Sequence, residues 1–409
     1  VLLDEVRGDL AGQPADALLP PPRRGLGLDW TSIDDVAPLG DGAAVAVLRL
    51  SDQRDVFVPL VHDGHWRRAE PGDAMSGSGL HAAPPLLVHI INPAPELADL
   101  DERTVDVDMS NDIRVIGESV VAKWQFVAEP GSMAGPRMVE HLAEAGFTEM
   151  PEPLATVSWH DRLVIAYSRF LPQALDGWDW MLDDVRRMLE GEAEAPTWPA
   201  LLGALTGRLH AAAATPTAVV PEPVTRADLA PLARHYRQLL AADLDPQTRE
   251  ALAPWTERFE RACASVEAAT SAQVIPVHGD LHPGQFLRWR DGIAIGDFDG
   301  NPLLPAEDRG VPGPTAHDVA GLVRGLDHVA IAAARRVDDP DALEAGRRWA
   351  RAARDEALTA YLGVGGVPTL DLSLLEALES LSPLHESVYS STYLPRWRYV
   401  PLAVLRGGW

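Results

Sequence analysis

The sequence predicts an α+β fold, with strands gathered toward the N-terminus and helices filling the C-terminal half. Two observations point there. Early segments alternate apolar and polar residues with the period of a strand, and late segments repeat apolar residues every three or four positions. A third observation breaks the helical part: a short strand–loop–strand stretch, "VHGDLHPGQFLRWRDGIAIGDFDG" (Val277–Gly300), is crowded with acids and amides.

Residues 1–98 read as a β-rich first unit. "AAVAVLRLSDQRDVFVPLVHDGHWRRAEPG" alternates about a turn at "HDG" and predicts a hairpin. "GDAMSGSGLHAAPP" is small, polar and proline-ended, so it reads as a loop, with another strand at "LLVHIINP". A second β-rich unit, 99–171, begins with strands at "RTVDVDM" and "RVIGESVVAKWQFV" around the turn "SND". A helix at "GPRMVEHLAEAGF", ending at Gly146, and strands at "LATVSW" and "RLVIAYSRFL" complete it. Residues 172–409 are mainly helical. The expected helices include "TREALAPWTERFERACASVEAATS" as one element, "AHDVAGLVRGLDHVAIAAARR", and "LDLSLLEALESLSPLHESVYSSTYL".

Composition narrows the function classes. The formal net charge of the 409-residue chain is -25, which disfavours nucleic acid and anionic membrane as partners. Cys263 is the only cysteine, so neither an internal disulfide framework nor a Cys-based zinc site is possible. No apolar run reaches membrane-spanning length, and the acidic N-terminus lacks the basic start of a signal peptide. These features favour a cytoplasmic protein; they leave the oligomeric state open.

The chemistry concentrates in the acidic hairpin. Asp280 follows a short apolar strand, and four residues separate it from Gln285, the Asp-x4-Asn spacing of a protein-kinase catalytic loop with Gln in place of Asn. Asp297 on the next strand takes the place of the metal-binding Asp of Asp-Phe-Gly. Mg²⁺ takes hard oxygen ligands, few of them from protein, and Gln285 and Asp297 supply two. Asp280 is then free to orient a hydroxyl or accept its proton, while His278 is expected to hold the loop by hydrogen bonds. Asp299 has three readings: a second Mg²⁺ ligand, a sugar contact, or a turn cap.

"HGDLHPGQ" followed by "IGDFDG" resembles the aminoglycoside phosphotransferase-like kinase superfamily, and "HESVYSSTYLPRWRYVPL" resembles the C-terminal signature of actinobacterial maltokinases and the related maltokinase-like glucosamine kinases. The resemblance spans the chain. It implies a bilobal, eukaryotic-protein-kinase-like fold with an extra N-terminal β-rich cap, ATP and Mg²⁺ as cofactors, and a small sugar or amino sugar as acceptor. Maltokinases carry Asn-Arg-Pro-x-Trp near the end; here the sequence is "YLPRWRY", a departure that favours an amino sugar.

A kinase needs a cation on its phosphates. Lys123 fits that role, with Glu140 on the following helix as its ion-pair partner. The resemblance implies that the turn at Ser110 and Asn111 covers the phosphates, although an ordinary hairpin turn has the same composition. It also implies that backbone from Arg169 to Leu171, the inter-lobe linker, meets the adenine edge. The acceptor pocket is expected at His385, Glu386, Tyr389 and Trp397, which offer polar pairs and flat rings for a sugar; packing in the core is the bland alternative for each. His210 reads as a satisfied buried histidine, and Asp318 either bonds the catalytic loop or is simply an acid at a helix start.

The resulting expectation is an ATP-dependent kinase making glucosamine 6-phosphate. A maltokinase making maltose 1-phosphate and an aminoglycoside phosphotransferase share the same centre. A pseudokinase-type binding module is the reading from outside enzymology, and the presence of Asp280, Gln285, Asp297 and Lys123 argues against it.

Overall fold

A computed structural model of the chain describes residues 1–19, 28–40, 42–70, 73–97, 100–105, 112–301, 304, 306–392 and 394–407. Two units emerge. The first comprises Val1–Glu140, Pro151–Pro172 and Ala306–Asp308; the second comprises His141–Met150, Gln173–Pro305 and Arg309–Trp409.

The first unit opens with helices α1 (Leu2–Leu10) and α2 (Ala15–Leu18). A four-stranded antiparallel meander follows: β1 (Trp30–Gly40), β2 (Ala43–Leu50), β3 (Asp55–His62) and β4 (Trp66–Arg68). A six-stranded antiparallel sheet comes next, with β5 (Leu86–Ile90), β6 (Glu102–Thr104), β7 (Asp112–Ile116), β8 (Val120–Trp124), β9 (Pro153–Trp159) and β10 (Arg162–Arg169), in the order β5-β9-β10-β8-β7-β6. Helix α3 (Ala134–Glu144) lies between β8 and β9 in sequence.

β2 shows why the two sheets share one unit. Successive strand residues point to opposite faces. Ala44, Ala46 and Leu48 join Val6, Leu10 and Leu18 in one core. Ala43, Val45 and Val47 join Ile116, Trp124 and Tyr167 of the larger sheet in another. The strand is therefore buried on both faces rather than half exposed. β5, which falls within the expected cap segment 1–98, pairs with β9 in the larger sheet.

Two local expectations change. "RVIGESVVAKWQFV" is not one strand but the hairpin β7–β8, because Gly117 (φ 54°) and Glu118 (φ 48°) both enter the left-handed region that reverses a strand. "GDAMSGSGLHAAPP" contains a buried 3-10 helix, Ser76–His81. The Ser76 carbonyl accepts from the Tyr167 hydroxyl (2.6 Å), and its Oγ accepts from Trp124 Nε1 (3.0 Å).

The second unit contains α4 (Gly177–Leu189), α5 (Trp198–Ala213), β11 (Thr225–Ala227), α6 (Ala230–Leu240), α7 (Pro246–Leu252), α8 (Thr256–Glu267), β12 (Ala272–Val274) and the hairpin β13 (Phe286–Trp289) and β14 (Gly292–Ile295); the one-turn α9 (Ala306–Arg309) falls in the first unit except for Arg309, and α10 (Thr315–Ala334), α11 (Ala342–Leu362), α12 (Leu372–Thr392) and α13 (Tyr399–Gly407) complete the second. The helix expected over 248–271 divides into α7 and α8 around a 3-10 turn at Ala253–Trp255, since Pro254 cannot donate within a continuous helix. α10 is buried almost all round, as befits a central helix. Two glycines let helices touch the loop after β12: a Cβ on Gly321 of α10 would lie 2.2 Å from the Leu281 carbonyl oxygen, and one on Gly177 of α4 would lie 1.9 Å from that of Pro283.

Gly321→Ala drives a methyl group into the Leu281 carbonyl. It should cost about 1–3 kcal/mol of stability in urea unfolding, the usual range for overpacking, and should lower turnover through displacement of the adjoining Asp280. Unchanged stability would show that α10 does not hold this loop at close range.

Candidate active site

Asp318, fully buried in the first turn of α10, organises the loop after β12. Its Oδ2 accepts from the His278 N–H (2.7 Å) and its Oδ1 from the Gly279 N–H (2.9 Å). His210 Nε2 lies 3.1 Å from Oδ2, and the other ring nitrogen is 2.8 Å from the Tyr361 hydroxyl. Burial alone would raise the Asp318 carboxyl. The hydrogen bond from His210, with the His317 ring 3.8 Å away, outweighs it and holds the group far below the usual carboxylate range. Of the two readings open for Asp318, the structure selects the loop-bonding one; His210 is a buried, satisfied histidine.

His278 joins this loop to the acidic hairpin. Its Nε2 donates to the Gly296 carbonyl (2.9 Å), and its Nδ1 accepts from the Asp280 N–H (3.3 Å). The two bonds fix the neutral tautomer and bring the backbone of Asp280 beside that of Asp297. Asp280 keeps a quarter of its side chain exposed. Burial pushes its carboxyl up to about 7; His278 opposes that rise and Asp297 adds to it. Asp297 ends the hairpin on an exposed position with left-handed backbone (φ 56°), a conformation uncommon outside glycine. Gln285 is buried, its amide 3.2 Å from the His282 ring. Asp299 is half-buried two residues after Asp297.

This donor set fits Mg²⁺. Asp297 and Gln285 offer hard oxygens, and the rise in Asp280 caused partly by Asp297 is the mark of clustered negative charge that a cation relieves. Among the described residues no three His, Cys, Asp or Glu side chains converge as a closed metal cage.

In the first unit, Lys123 sits at the centre of β8, between Ile113 and Ala166 on the neighbouring strands. The Glu140 carboxylate lies 2.7 Å from the His89 ring. His89 comes from β5, whose place at the sheet edge the sequence did not reveal. Arg169 pairs through its guanidinium with Glu152 (3.1 Å). Its N–H bonds the Glu152 carbonyl and that of Phe170 the Ser119 carbonyl, so this backbone is already engaged. Leu171 is buried. Ser110 and Asn111 lie outside the described residues.

Of the C-terminal candidates, His385, Glu386 and Tyr389 lie on α12 and Trp397 follows it. His385 Nε2 is 3.2 Å from the Asn301 amide, and burial pushes the ring down to about 4, so it is neutral near pH 7. Glu386 meets His328 of α10 at 2.8 Å, out of line for a hydrogen bond. Tyr389 is half-buried on α12. Trp397 packs on Trp178 (5.0 Å between centroids), and Trp178 stacks over His282 (6.2 Å). Sequence reasoning did not single out His282, His328, Asn301 or Trp178, which contact these candidates. "DLHPGQ" held the one available signal, a second histidine inside the motif.

The α+β architecture, with an Asp-x4-Gln loop clasped to an Asp-bearing hairpin, places the chain among kinase-type phosphotransferases. Solved structures agree. A glucosamine kinase in complex with glucosamine, ADP and inorganic phosphate is 34% identical, with a TM-score of 0.79 over 98% of both chains. A second crystal form of glucosamine kinase is 33% identical, with a TM-score of 0.81 over 100% of this chain and 99% of that one. No protein-family model matches. Curated relatives include glucosamine kinase of Streptacidiphilus jiangxiensis, 37% identical over 90% of this chain and 89% of the relative. That of Mycolicibacterium smegmatis (strain ATCC 700084 / mc(2)155) is 34% identical over 91% and 96%. The chain belongs to the glucosamine kinase family.

The depressed pKa of Asp318 makes a pH prediction. Its contribution to stability is complete above the unfolded carboxyl value of about 3.9 and fades as pH falls toward the lower folded value. Asp318→Asn should cost about 1.5–3 kcal/mol at pH 7, the range for hydrogen bonds to a charged group. The gap between wild type and variant in urea unfolding should narrow toward pH 3. A gap independent of pH would mean that the carboxylate charge is not what holds the loop.

Proposed function

We propose that the chain is an ATP-dependent glucosamine kinase that phosphorylates the 6-hydroxyl of glucosamine by direct in-line transfer. What carries this reading is the pairing of Asp280 with Asp297 through His278, in a chain whose solved relative over 98% of its length holds glucosamine, ADP and phosphate.

Asp280 orients the acceptor hydroxyl and takes its proton; a carboxyl lifted by burial is suited to holding one. Asp297 and Gln285, with Asp299 beside them, would hold Mg²⁺, which when bound offsets charge on the transferring phosphoryl group. Lys123 steadies the phosphates, and Leu171 faces the adenine. Glu140, on the helix after β8, is engaged by His89. Glu386 receives the substrate ammonium and His385 a hydroxyl, while Tyr389 and Trp397 supply flat apolar surface.

A cytoplasmic setting suits the lone, buried Cys263, and no helix among the described residues is long and apolar enough to cross a membrane.

The test is ADP release with Mg-ATP and a panel of glucosamine, glucose, maltose and kanamycin. Glucosamine should be preferred, and Asp280→Ala and Asp297→Ala should each cut turnover by about 10²-fold or more with the fold intact. Preference for maltose would overturn the acceptor reading, and a near-normal rate in either variant would overturn the catalytic one. Glu386→Gln should raise KM for glucosamine while leaving KM for ATP in place. Equal changes in both would make Glu386 a packing residue.

A further inference from the structure

A cavity of about 610 Å³ lies where α13 and the segment before it meet the ends of α10 and α11. Five arginines line it: Arg335, Arg347, Arg396, Arg398 and Arg406. The chain has 35 basic residues against 60 acidic ones, so this grouping runs against its overall charge. Among the described residues no carboxylate is part of the lining.

Arg335 and Arg347 are held in place by uncharged partners. Arg335 lies over the Tyr399 ring at 4.0 Å, and Arg347 donates to the Ala403 carbonyl at 3.2 Å. Neither partner carries a full negative charge. Arg398 pairs with Asp245 at 2.8 Å from outside the lining. A guanidinium has five N–H donors in a fixed fork, so one bond leaves most of its capacity to bind. Like charges gathered this closely repel unless an anion joins them. The volume lies in the range of small-molecule sites, and paired arginine forks match phosphate and carboxylate oxygens in bidentate fashion.

We propose that this cavity binds a small phosphate-bearing anion with two or more negative charges, at a site separate from Asp280 and Asp297. The cavity also connects to the catalytic-type loop. Tyr399 stacks on Trp397 (6.1 Å), which packs on Trp178, which lies over His282. That link rests on the kinase reading; the binding itself does not.

Sodium pyrophosphate titrated calorimetrically into the full chain tests it, with EDTA present and ATP, glucosamine and Mg²⁺ absent. Wild type and Asp297→Ala should bind alike, and Arg347→Gln/Arg406→Gln should bind at least about tenfold more weakly, as expected for lost charge-assisted hydrogen bonds. Arg406→Gln alone, at an exposed side chain, should show a smaller loss in the same direction and serves if the double variant melts early by circular dichroism. Absence of binding to wild type, equal affinity in both arginine variants, or loss of binding in Asp297→Ala would overturn the proposal. Tighter capture of a polyglutamate peptide than of pyrophosphate would overturn its phosphate chemistry. A kinase inactive on glucosamine that still binds pyrophosphate through these arginines would leave this site standing and remove only the functional reading.

Discussion

The buried Asp318 carboxylate is the constraint on which the candidate site depends. An ionised group without solvent is costly unless its lone pairs are filled. Here they are filled by two consecutive main-chain N–H groups and a histidine. Because two of the donors are backbone, the bonds fix the path of the chain immediately before Asp280. α10 is rigidly packed on nearly every side, so the loop is fitted to the helix rather than the helix to the loop. His278 then carries the constraint one step further, from the loop to the carbonyl that precedes Asp297.

What is legible in the sequence follows from how local each interaction is. The acidic hairpin can be read because Mg²⁺ and phosphoryl chemistry accept few residue types, and those must sit close in sequence. The long helices can be read from their period. The partner of Glu140 cannot, because His89 is 51 residues away and its strand joins a sheet edge that no local pattern announces. His210 and Asp318 are 108 residues apart, and the choice between their functional and structural roles needed the fold. β2 misleads for a related reason. Alternation predicts one wet face, but a second sheet covers that face, and only the residues of that sheet could have shown it.

The acceptor candidates illustrate the same limit at the level of chemistry. Glu386 and His385 are adjacent in sequence, yet their surroundings differ. His385 faces an amide and is driven neutral, whereas Glu386 faces His328, with Arg324 close enough for the two charges to interact. A carboxylate already near cations binds an ammonium less strongly than a bare one would. Selectivity for an amino sugar over a neutral one would therefore depend on how fully His328 and Arg324 are engaged elsewhere; Arg324 is paired with Asp327 at 2.6 Å.

α10 also accounts for the spacing between the two ends of the second unit. Its first turn carries Asp318 beside the catalytic-type loop, and Gly325 lies against Pro283 of that loop. Arg335, just past the last helical residue, faces the arginine cavity. An acid at the N-terminal turn and a cation at the C-terminus both agree with the helix dipole. From Gly325 to Arg335 the helix rises about 15 Å, and the ring stack from His282 to Tyr399 bridges a comparable gap in three steps of 6.2, 5.0 and 6.1 Å. Helix and stack thus run between the same two places by separate routes. A displacement at Arg335 cannot be absorbed by α10, whose burial leaves it no room to shift, so the aromatic stack is the softer of the two paths to His282 and, through it, to Gln285.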